Sequence, residues 1–181
     1  MTPDLDRISE RELLLGAVNV AQGAWVVGSD RILRTVLGSC VAVCLYDPEA
    51  GVGGMNHYVY PPRADGRGGR FNNTTLAADI CMEGLFQAML KAGASKQRMR
   101  AKAFGGGRMF THQDIFSVGK RNTSFAKYWL ASAEIPLELF DFHGNVARRL
   151  IFHPRSGHHR CYRLGLDFPS AASGAGREGP G

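Results

Sequence analysis

Short apolar segments rich in β-branched residues dominate the first third of the chain. Glycine, serine, aspartate and proline separate them, a pattern typical of β-strands joined by turns. The predicted strands of this part lie at residues 24–27, 32–37, 41–46 and 52–60, the last of them broken around Gly53 and Gly54. The turn-forming residues 47–51 predict that the third and fourth strands form a hairpin.

Helical spacing of apolar residues begins at residue 73. Leu76, Ile80 and Leu85 lie on one face of a helix predicted to run to Lys91, with Gly93 as the residue that ends it. A second helix is predicted at residues 122–132. The remaining predicted strands lie at residues 99–104, 137–142, 149–153 and 160–164. This order predicts an α+β fold, a mostly antiparallel sheet with two main helices.

Length and composition predict one folded unit. The 181 residues are 44% hydrophobic and 21% charged, which is ordinary for a soluble domain large enough to fold without disulfides or metals. We expect a flexible charged N-terminus at residues 1–13, a single domain at residues 14–167 and a disordered tail at residues 168–181. No secretory leader pattern and no apolar run near the ~18 residues of a membrane span are found, so a cytoplasmic location is expected.

The net charge of +6 is the feature of composition that most suggests a partner. Residues 91–102 contain five basic and no acidic side chains, and residues 148–163 contain five more. A solvated surface is the usual explanation of such runs, and nucleic acid, an anionic membrane or an acidic protein are the functional ones. Charge alone does not choose among them.

Cys40 differs from the other three cysteines in its position. It follows the Gly38-Ser39 break and directly precedes an apolar strand, where free backbone N–H groups would lower a thiol pKa and could hold an oxyanion. A small apolar residue at the start of a strand is the alternative interpretation. The spacing of Cys40 and Cys44 does not favour zinc, because residues four apart on a strand are separated by roughly 13 Å.

His57 is the histidine that the predicted hairpin brings to Cys40. The two residues lie in strands joined by the turn at residues 47–51, which places them side by side at one end of the sheet. A cysteine next to a histidine forms a minimal nucleophile–base pair. Thr35, on the preceding strand, could orient the imidazole.

Five blocks of the sequence together resemble a known family. They are LGSCVAVCLYD at residues 37–47, GGMNH at 53–57, AFGGGRMF at 103–110, VGKRN at 118–122 and residues 145–152. In this order they resemble the CheD family of bacterial chemoreceptor glutamine deamidases. The resemblance implies a sandwich of sheet and helices with a papain-like Cys–His site, and makes residues 14–167 a catalytic domain.

The same resemblance implies a reaction and the residues that perform it. The enzyme would be a protein-glutamine glutaminase that converts receptor glutamines to glutamate through a cysteine thioester, and it would also hydrolyse glutamyl methyl esters. Cys40 would be the nucleophile, His57 the base and Thr35 the third catalytic residue. Arg34-Thr35 stands where many relatives have two threonines. If the family's threonine aligns with position 34, Thr35 would point to the opposite face of its strand.

Further expectations concern the surroundings of the site and its partners. Backbone at Gly38 and Ser39 would support the oxyanion, and Asn56 and Arg70 would bind substrate, with no metal or cofactor. The implied partners are methyl-accepting chemotaxis receptors, whose acidic helices the basic surface would attract, and a CheC-type phosphatase. A non-catalytic adaptor that binds both is the alternative. Binding of nucleic acid is suggested by charge alone, and neither it nor direct membrane insertion is expected.

Overall fold

The computed structural model describes residues 5–59, 78–109 and 113–165. The helices are α1 (Glu10–Gly16), α2 (Ala78–Lys91) and α3 (Gln113–Ser132), with single 3₁₀ turns at Leu5–Arg7 and Lys96–Arg98. The strands are β1 (Val18–Asn19), β2 (Ala24–Gly28), β3 (Leu33–Leu37), β4 (Val41–Asp47), β5 (Val52–His57), β6 (Arg100–Gly105), β7 (Leu137–Phe142), β8 (Ala147–His153) and β9 (His158–Leu164). The predicted α+β class with two main helices is confirmed.

The strands form two sheets. The larger has the order β2-β5-β4-β6-β7 and the smaller the order β1-β3-β8-β9. Neighbouring strands are antiparallel except for the pairs β6–β7 and β1–β3. The predicted mostly antiparallel arrangement therefore holds, but it is divided between two sheets.

The larger sheet is the middle of three layers. Along β4, Val41, Val43 and Leu45 pack in the same core as α2 and α3, whereas Ala42 and Cys44 pack against residues of the smaller sheet. Successive side chains of a strand point to opposite faces. Both faces of β4 are covered, and its residues 41–46 form an uninterrupted apolar run.

The predicted β4–β5 hairpin is confirmed, but the predicted break in its second strand is wrong. β5 pairs with β4 from Val52 opposite Asp47 to Met55 opposite Cys44, without interruption at Gly53 and Gly54. A Cβ at Gly53 would lie 2.4 Å from the carbonyl oxygen of Pro154, and one at Gly54 would lie 2.7 Å from that of Val26. These glycines therefore allow neighbouring backbone to approach closely.

The predicted end of α2 is confirmed, whereas the predicted start of α3 is wrong. The end of α2 is as predicted, since the Ala94 N–H donates to the Met89 carbonyl at 3.1 Å and Gly93 has a φ of +96°. Its predicted start at residue 73 lies outside the described residues. α3 begins at Gln113, well before the predicted residue 122. Gly119 lies in this added part, and a Cβ there would lie 2.6 Å from the Gly106 carbonyl oxygen.

The described part of the N-terminal segment contains helical structure. Residues 5–13 belong to the segment expected to be flexible, but they contain a 3₁₀ turn and most of α1. Ser9 and Glu12 form a reciprocal capping box at the start of α1. Leu5 and Leu13 are buried against Ile151. The predicted disordered tail lies outside the described residues.

Candidate active site

A three-residue loop at positions 38–40 crosses from one sheet to the other. β3 ends at Leu37 in the smaller sheet and β4 begins at Val41 in the larger one. Each carbonyl oxygen of the loop accepts a hydrogen bond: Gly38 from the Gly107 N–H at 2.8 Å, Ser39 from Asn122 Nδ2 at 2.7 Å, and Cys40 from the Gly106 N–H at 2.8 Å. These bonds hold the loop in place between the two sheets.

The Cys40 thiol lies half-buried at the end of this loop. Its Sγ–H donates to Gln22 Oε1 at 3.6 Å. Burial raises the pKa of the Cys40 thiol, and the residue's own backbone N–H partly opposes that effect. The resting group is therefore a thiol, which needs a nearby base to become a nucleophile.

His57 is held next to the same end of β4. Val41 and Tyr58 form an antiparallel bridge with reciprocal backbone hydrogen bonds of 3.0 and 2.9 Å. This register places His57 diagonally across from Cys40, and Cys40 packs against the apolar cluster between the two sheets. Diagonal positions are roughly 7–8 Å apart, within reach of long side chains.

The hydrogen bonds of Thr35 determine which ring nitrogen of His57 carries the proton. The Thr35 hydroxyl donates to the Val20 carbonyl oxygen at 2.8 Å, and its Oγ1 lies 2.8 Å from His57 Nδ1. Because the single hydroxyl proton is used by Val20, Oγ1 must accept from an Nδ1–H. The Val20 carbonyl, 3.4 Å from the same nitrogen, can also only accept.

The other ring nitrogen of His57 is left as a proton acceptor. Nε2 is buried and makes no hydrogen bond within the described part of the chain. Burial lowers the pKa of His57, although a hydrogen bond to Val20 partly opposes that effect. The ring is therefore neutral, with its lone pair on Nε2.

Thr35 points into the space between the sheets and is 2% exposed. Arg34, its neighbour on β3, points the other way and lines a surface depression with Glu10 and Arg149. The alternative alignment, in which position 34 would contact the histidine, therefore does not hold for this chain. Thr35 is the residue in contact with His57.

Asn56, which was predicted to bind substrate, does not face the thiol. Asn56 is fully buried. Its Oδ1 accepts from the Val43 N–H of β4 at 2.9 Å, and its Nδ2 donates to the Cys81 carbonyl of α2 at 3.2 Å. An amide occupied in this way stabilises the core, so the expectation that Asn56 binds substrate is not supported by its geometry. Arg70 lies outside the described residues.

Two contributors to the site were missed by reasoning from sequence. The Val20 carbonyl and the Gln22 side chain both come from the segment between β1 and β2. Gly23 is the one turn-forming residue of this segment, and a turn-forming residue does not indicate what the turn contacts. Among the described residues no group of three His, Cys, Asp or Glu side chains is placed to hold a metal ion.

None of the described helices combines the length and the apolar composition needed to cross a membrane.

Comparison with solved structures gives little. The crystal structure of the Bacillus licheniformis hypothetical protein YfiH matches with a TM-score of 0.40 and 13% identity, over 71% of this chain and 58% of that one. A likeness of this degree carries no argument.

Comparison with protein sequences identifies relatives over nearly the whole chain. The probable chemoreceptor glutamine deamidase CheD 2 of Dechloromonas aromatica is 39% identical over 97% of this chain and 89% of the relative. Proteins named probable chemoreceptor glutamine deamidase CheD match at 36% identity in Saccharophagus degradans, over 83% of this chain and 71% of the relative, and at 40% in Caulobacter vibrioides, over 83% and 79%.

A family model gives the same result independently. The model described as CheD chemotactic sensory transduction matches residues 61–163. That match begins after Cys40 and His57, whereas the match to the Dechloromonas relative leaves only 3% of this chain outside. From the family model and these relatives together, the chain belongs to the CheD family.

Proposed function

We propose that this protein hydrolyses the side-chain amide of glutamine residues in chemotaxis receptors, with Cys40 as nucleophile and His57 as base. The observation that carries the proposal is the pair of hydrogen bonds at Thr35, which leaves the His57 Nε2 lone pair free on the face of the sheet that also bears Cys40. The names of the relatives supply the substrate class.

The first half of the reaction forms a thioester. His57 Nε2 takes the proton from the Cys40 thiol, and the thiolate attacks the carboxamide carbon of the bound glutamine. The resulting oxyanion is stabilised by the backbone N–H of Cys40, with that of Ser39 beside it. The imidazolium then returns its proton to the amide nitrogen, so that ammonia leaves and the acyl group remains on Sγ.

The second half releases glutamate. A water molecule gives one proton to His57 Nε2 and attacks the thioester carbon, and the proton passes to Sγ as the C–S bond breaks. The net reaction consumes one water per glutamine and yields glutamate and ammonia. A glutamyl methyl ester would react in the same way with methanol as the leaving group.

The burial of the pair suits this sequence of proton transfers. Burial disfavours both the thiolate and the imidazolium, so the resting pair is neutral. The thiolate of Cys40 then forms only when a substrate carboxamide is present for it to attack. Thr35 keeps the Nδ1–H of His57 in place throughout, which preserves Nε2 as the atom that moves protons.

Removal of the nucleophile tests the proposal. The Cys40→Ala protein should release no ammonia from a purified receptor cytoplasmic fragment and should leave its mass unchanged, whereas the wild type should add about one dalton per converted glutamine. Cys161→Ala is the matched control, because Cys161 is a half-buried free cysteine of β9. An active Cys40→Ala protein would contradict the mechanism.

The same experiment distinguishes an enzyme from an adaptor. If the protein is an adaptor, the wild type should bind the receptor fragment and leave every glutamine intact. Binding of a CheC-type phosphatase is a separate prediction, which requires that partner in the assay.

A further inference from the structure

A glutamine side chain of the protein itself lies against the reactive thiol. Gln22 is in the turn between β1 and β2, and the next residue, Gly23, donates its N–H to the His57 carbonyl oxygen at 2.7 Å. Directly after the turn, Ala24 pairs with His57 across the β2–β5 ladder. The turn is thus fixed to the strand that carries the base, and the exposed Gln22 side chain extends from it to Cys40 Sγ.

The resting contact is suited to a neutral thiol and not to a thiolate. The Cys40 S–H donates to Gln22 Oε1 at 3.6 Å. Once His57 removes that proton, an amide oxygen faces a negatively charged sulfur, which is unfavourable. Rotation of the amide by half a turn replaces Oε1 with the Nε2–H₂ donor. Terminal torsions of this kind are broad and roughly two-fold, and the side chain is exposed, so little opposes the rotation.

Gln22 also lies beside the position where the negative charge of the oxyanion develops. The carbonyl groups of the 38–40 loop all accept hydrogen bonds from elsewhere in the chain, which holds the backbone beside the thiol in place. An oxyanion bonded to the carbon that Sγ attacks remains next to that sulfur. An N–H donor on the Gln22 side of the thiol can therefore reach it, and donors to a charged acceptor are about twice as strong as those to a neutral one.

We infer that Gln22 is a further catalytic residue of the site proposed above, whose side-chain amide donates to the oxyanion together with the backbone N–H of Cys40. The inference rests on the proposed function. Gln22 serves as an acceptor for the resting thiol and as a donor in the tetrahedral intermediate, and the change follows from the loss of the thiol proton.

A different role for the same contact makes an opposite prediction. A carboxamide held against the thiol could occupy the place of the substrate carboxamide and block it. In that case its removal would increase activity, whereas loss of an oxyanion donor lowers it.

The test compares turnover with the intrinsic reactivity of the thiol. For Gln22→Ala we expect kcat on a glutamine-containing receptor fragment to fall by roughly 10²–10³-fold, the usual loss for one oxyanion donor, with KM within about threefold of wild type. Alkylation of Cys40 by iodoacetamide, which forms no oxyanion, should slow by no more than about threefold, equivalent to a pKa change of about half a unit. Gln22→Glu should be no more active than Gln22→Ala, because a carboxylate of the same shape donates nothing.

Gln87→Ala is the matched control, since Gln87 is an exposed glutamine on α2 that bonds only to Glu83 among the contacts described. It should match wild type in every measurement. The inference is overturned if Gln22→Ala keeps kcat within threefold of wild type, if its activity rises, or if kcat and alkylation fall by the same factor. A wild-type enzyme that releases no ammonia overturns the proposed function and this inference together, whereas an active wild type with an active Gln22→Ala overturns this inference alone.

Discussion

At the scale of single residues, the proposed function depends on the single hydroxyl proton of Thr35. Thr35 has a single hydroxyl hydrogen, and its bond to the Val20 carbonyl leaves Oγ1 as an acceptor for His57 Nδ1–H. This arrangement selects the histidine tautomer without a carboxylate partner. A neutral partner adds no negative charge beside the imidazole, which agrees with the lowered pKa that burial gives His57.

Replacement of Thr35 by valine should therefore impair catalysis more than folding. Valine keeps the β-branched shape and removes the acceptor at Nδ1, so the ring is no longer held in one tautomer. We expect kcat to fall by roughly 10²-fold, the lower end of what general acid–base catalysis contributes. Steady-state ammonia release measures the change.

Thr35→Ser provides the control, because it retains the hydroxyl and should keep most of the activity. The loss of a buried hydrogen bond in Thr35→Val should reduce the free energy of unfolding by about 1–3 kcal/mol, measured by urea denaturation. Equal activity of the valine and serine variants would contradict the assigned role of the hydroxyl.

At the scale of elements, the β4–β5 hairpin carries His57 and directly follows Cys40, the two proposed catalytic residues, and Asp47 stabilises its turn. The buried Asp47 carboxylate accepts from the Glu49 and Ala50 N–H groups, each at 3.1 Å, and from the Ser95 N–H at 2.9 Å. Arg98 forms an ion pair with it at 2.9 Å. Burial by itself would raise the pKa of Asp47, but the bonds from Arg98, Ser95 and Ala50 outweigh it and hold the pKa at about 2.

Asp47→Asn should therefore destabilise the protein in a pH-dependent manner. A carboxyl whose pKa is lowered by folding stabilises the folded state fully above its unfolded pKa near 4, and this contribution is lost as the pH falls towards 2. We expect the variant to lose about 2 kcal/mol of unfolding free energy at pH 7, and the difference from wild type to narrow at pH 3. Urea denaturation at both pH values measures it, and a difference that does not change with pH would contradict the assignment.

At the scale of the whole molecule, most basic side chains of residues 91–102 and 148–163 form ion pairs or hydrogen bonds within the fold. In residues 91–102, Lys96 pairs with Glu134 and Arg100 with Glu138, and Lys102 donates to the Gly157 carbonyl oxygen. Arg148 is 1% exposed and forms an ion pair with Asp141 at 2.8 Å. Much of what the sequence shows as basic runs is therefore structural, and attraction of acidic receptor helices by this surface stays a prediction.

Hydrophobic cores lie on both faces of the larger sheet, and they differ in how close they are to the proposed site. Leu150 is the cross-strand partner of Thr35 on β8 and is fully buried between the sheets. Leu85 is equally buried, but it belongs to the core between the larger sheet and α2. Truncation of either side chain leaves a cavity, yet only the first cavity adjoins the residue that orients His57.

Leu150→Ala and Leu85→Ala should thus separate stability from activity. We expect each to lose about 2–5 kcal/mol of unfolding free energy. At a temperature where both remain folded, Leu150→Ala should lower kcat because Thr35 is less firmly held, whereas Leu85→Ala should retain it. Circular dichroism establishes the folded fraction and ammonia release the rate. Equal kcat values for the two variants would show that the inter-sheet packing does not control the site.

The sequence by itself determined the local part of this protein. Short apolar segments rich in β-branched residues identified β2, β3, β4 and the later strands, and the turn at residues 47–51 identified the hairpin. Because a hairpin follows from neighbouring segments, the proximity of Cys40 and His57 could also be predicted. Regular structure was harder to predict at glycines. Glycine usually indicates a break in a helix or strand, whereas Gly53, Gly54 and Gly119 lie within regular elements and allow close backbone contact.

Only the tertiary structure decided which other residues meet the Cys–His pair. β3 does not pair with β4, and Thr35 reaches His57 from the opposite sheet, across a packing interface that no local pattern encodes. Gln22 and the Val20 carbonyl arrive from a separate turn, and Asn56 is turned towards α2 by the alternation along β5. Side-chain direction across a layered fold depends on long-range packing and strand register. The order of residues along the chain therefore indicates the proposed nucleophile and base, whereas the packing of the two sheets determines which groups contact them.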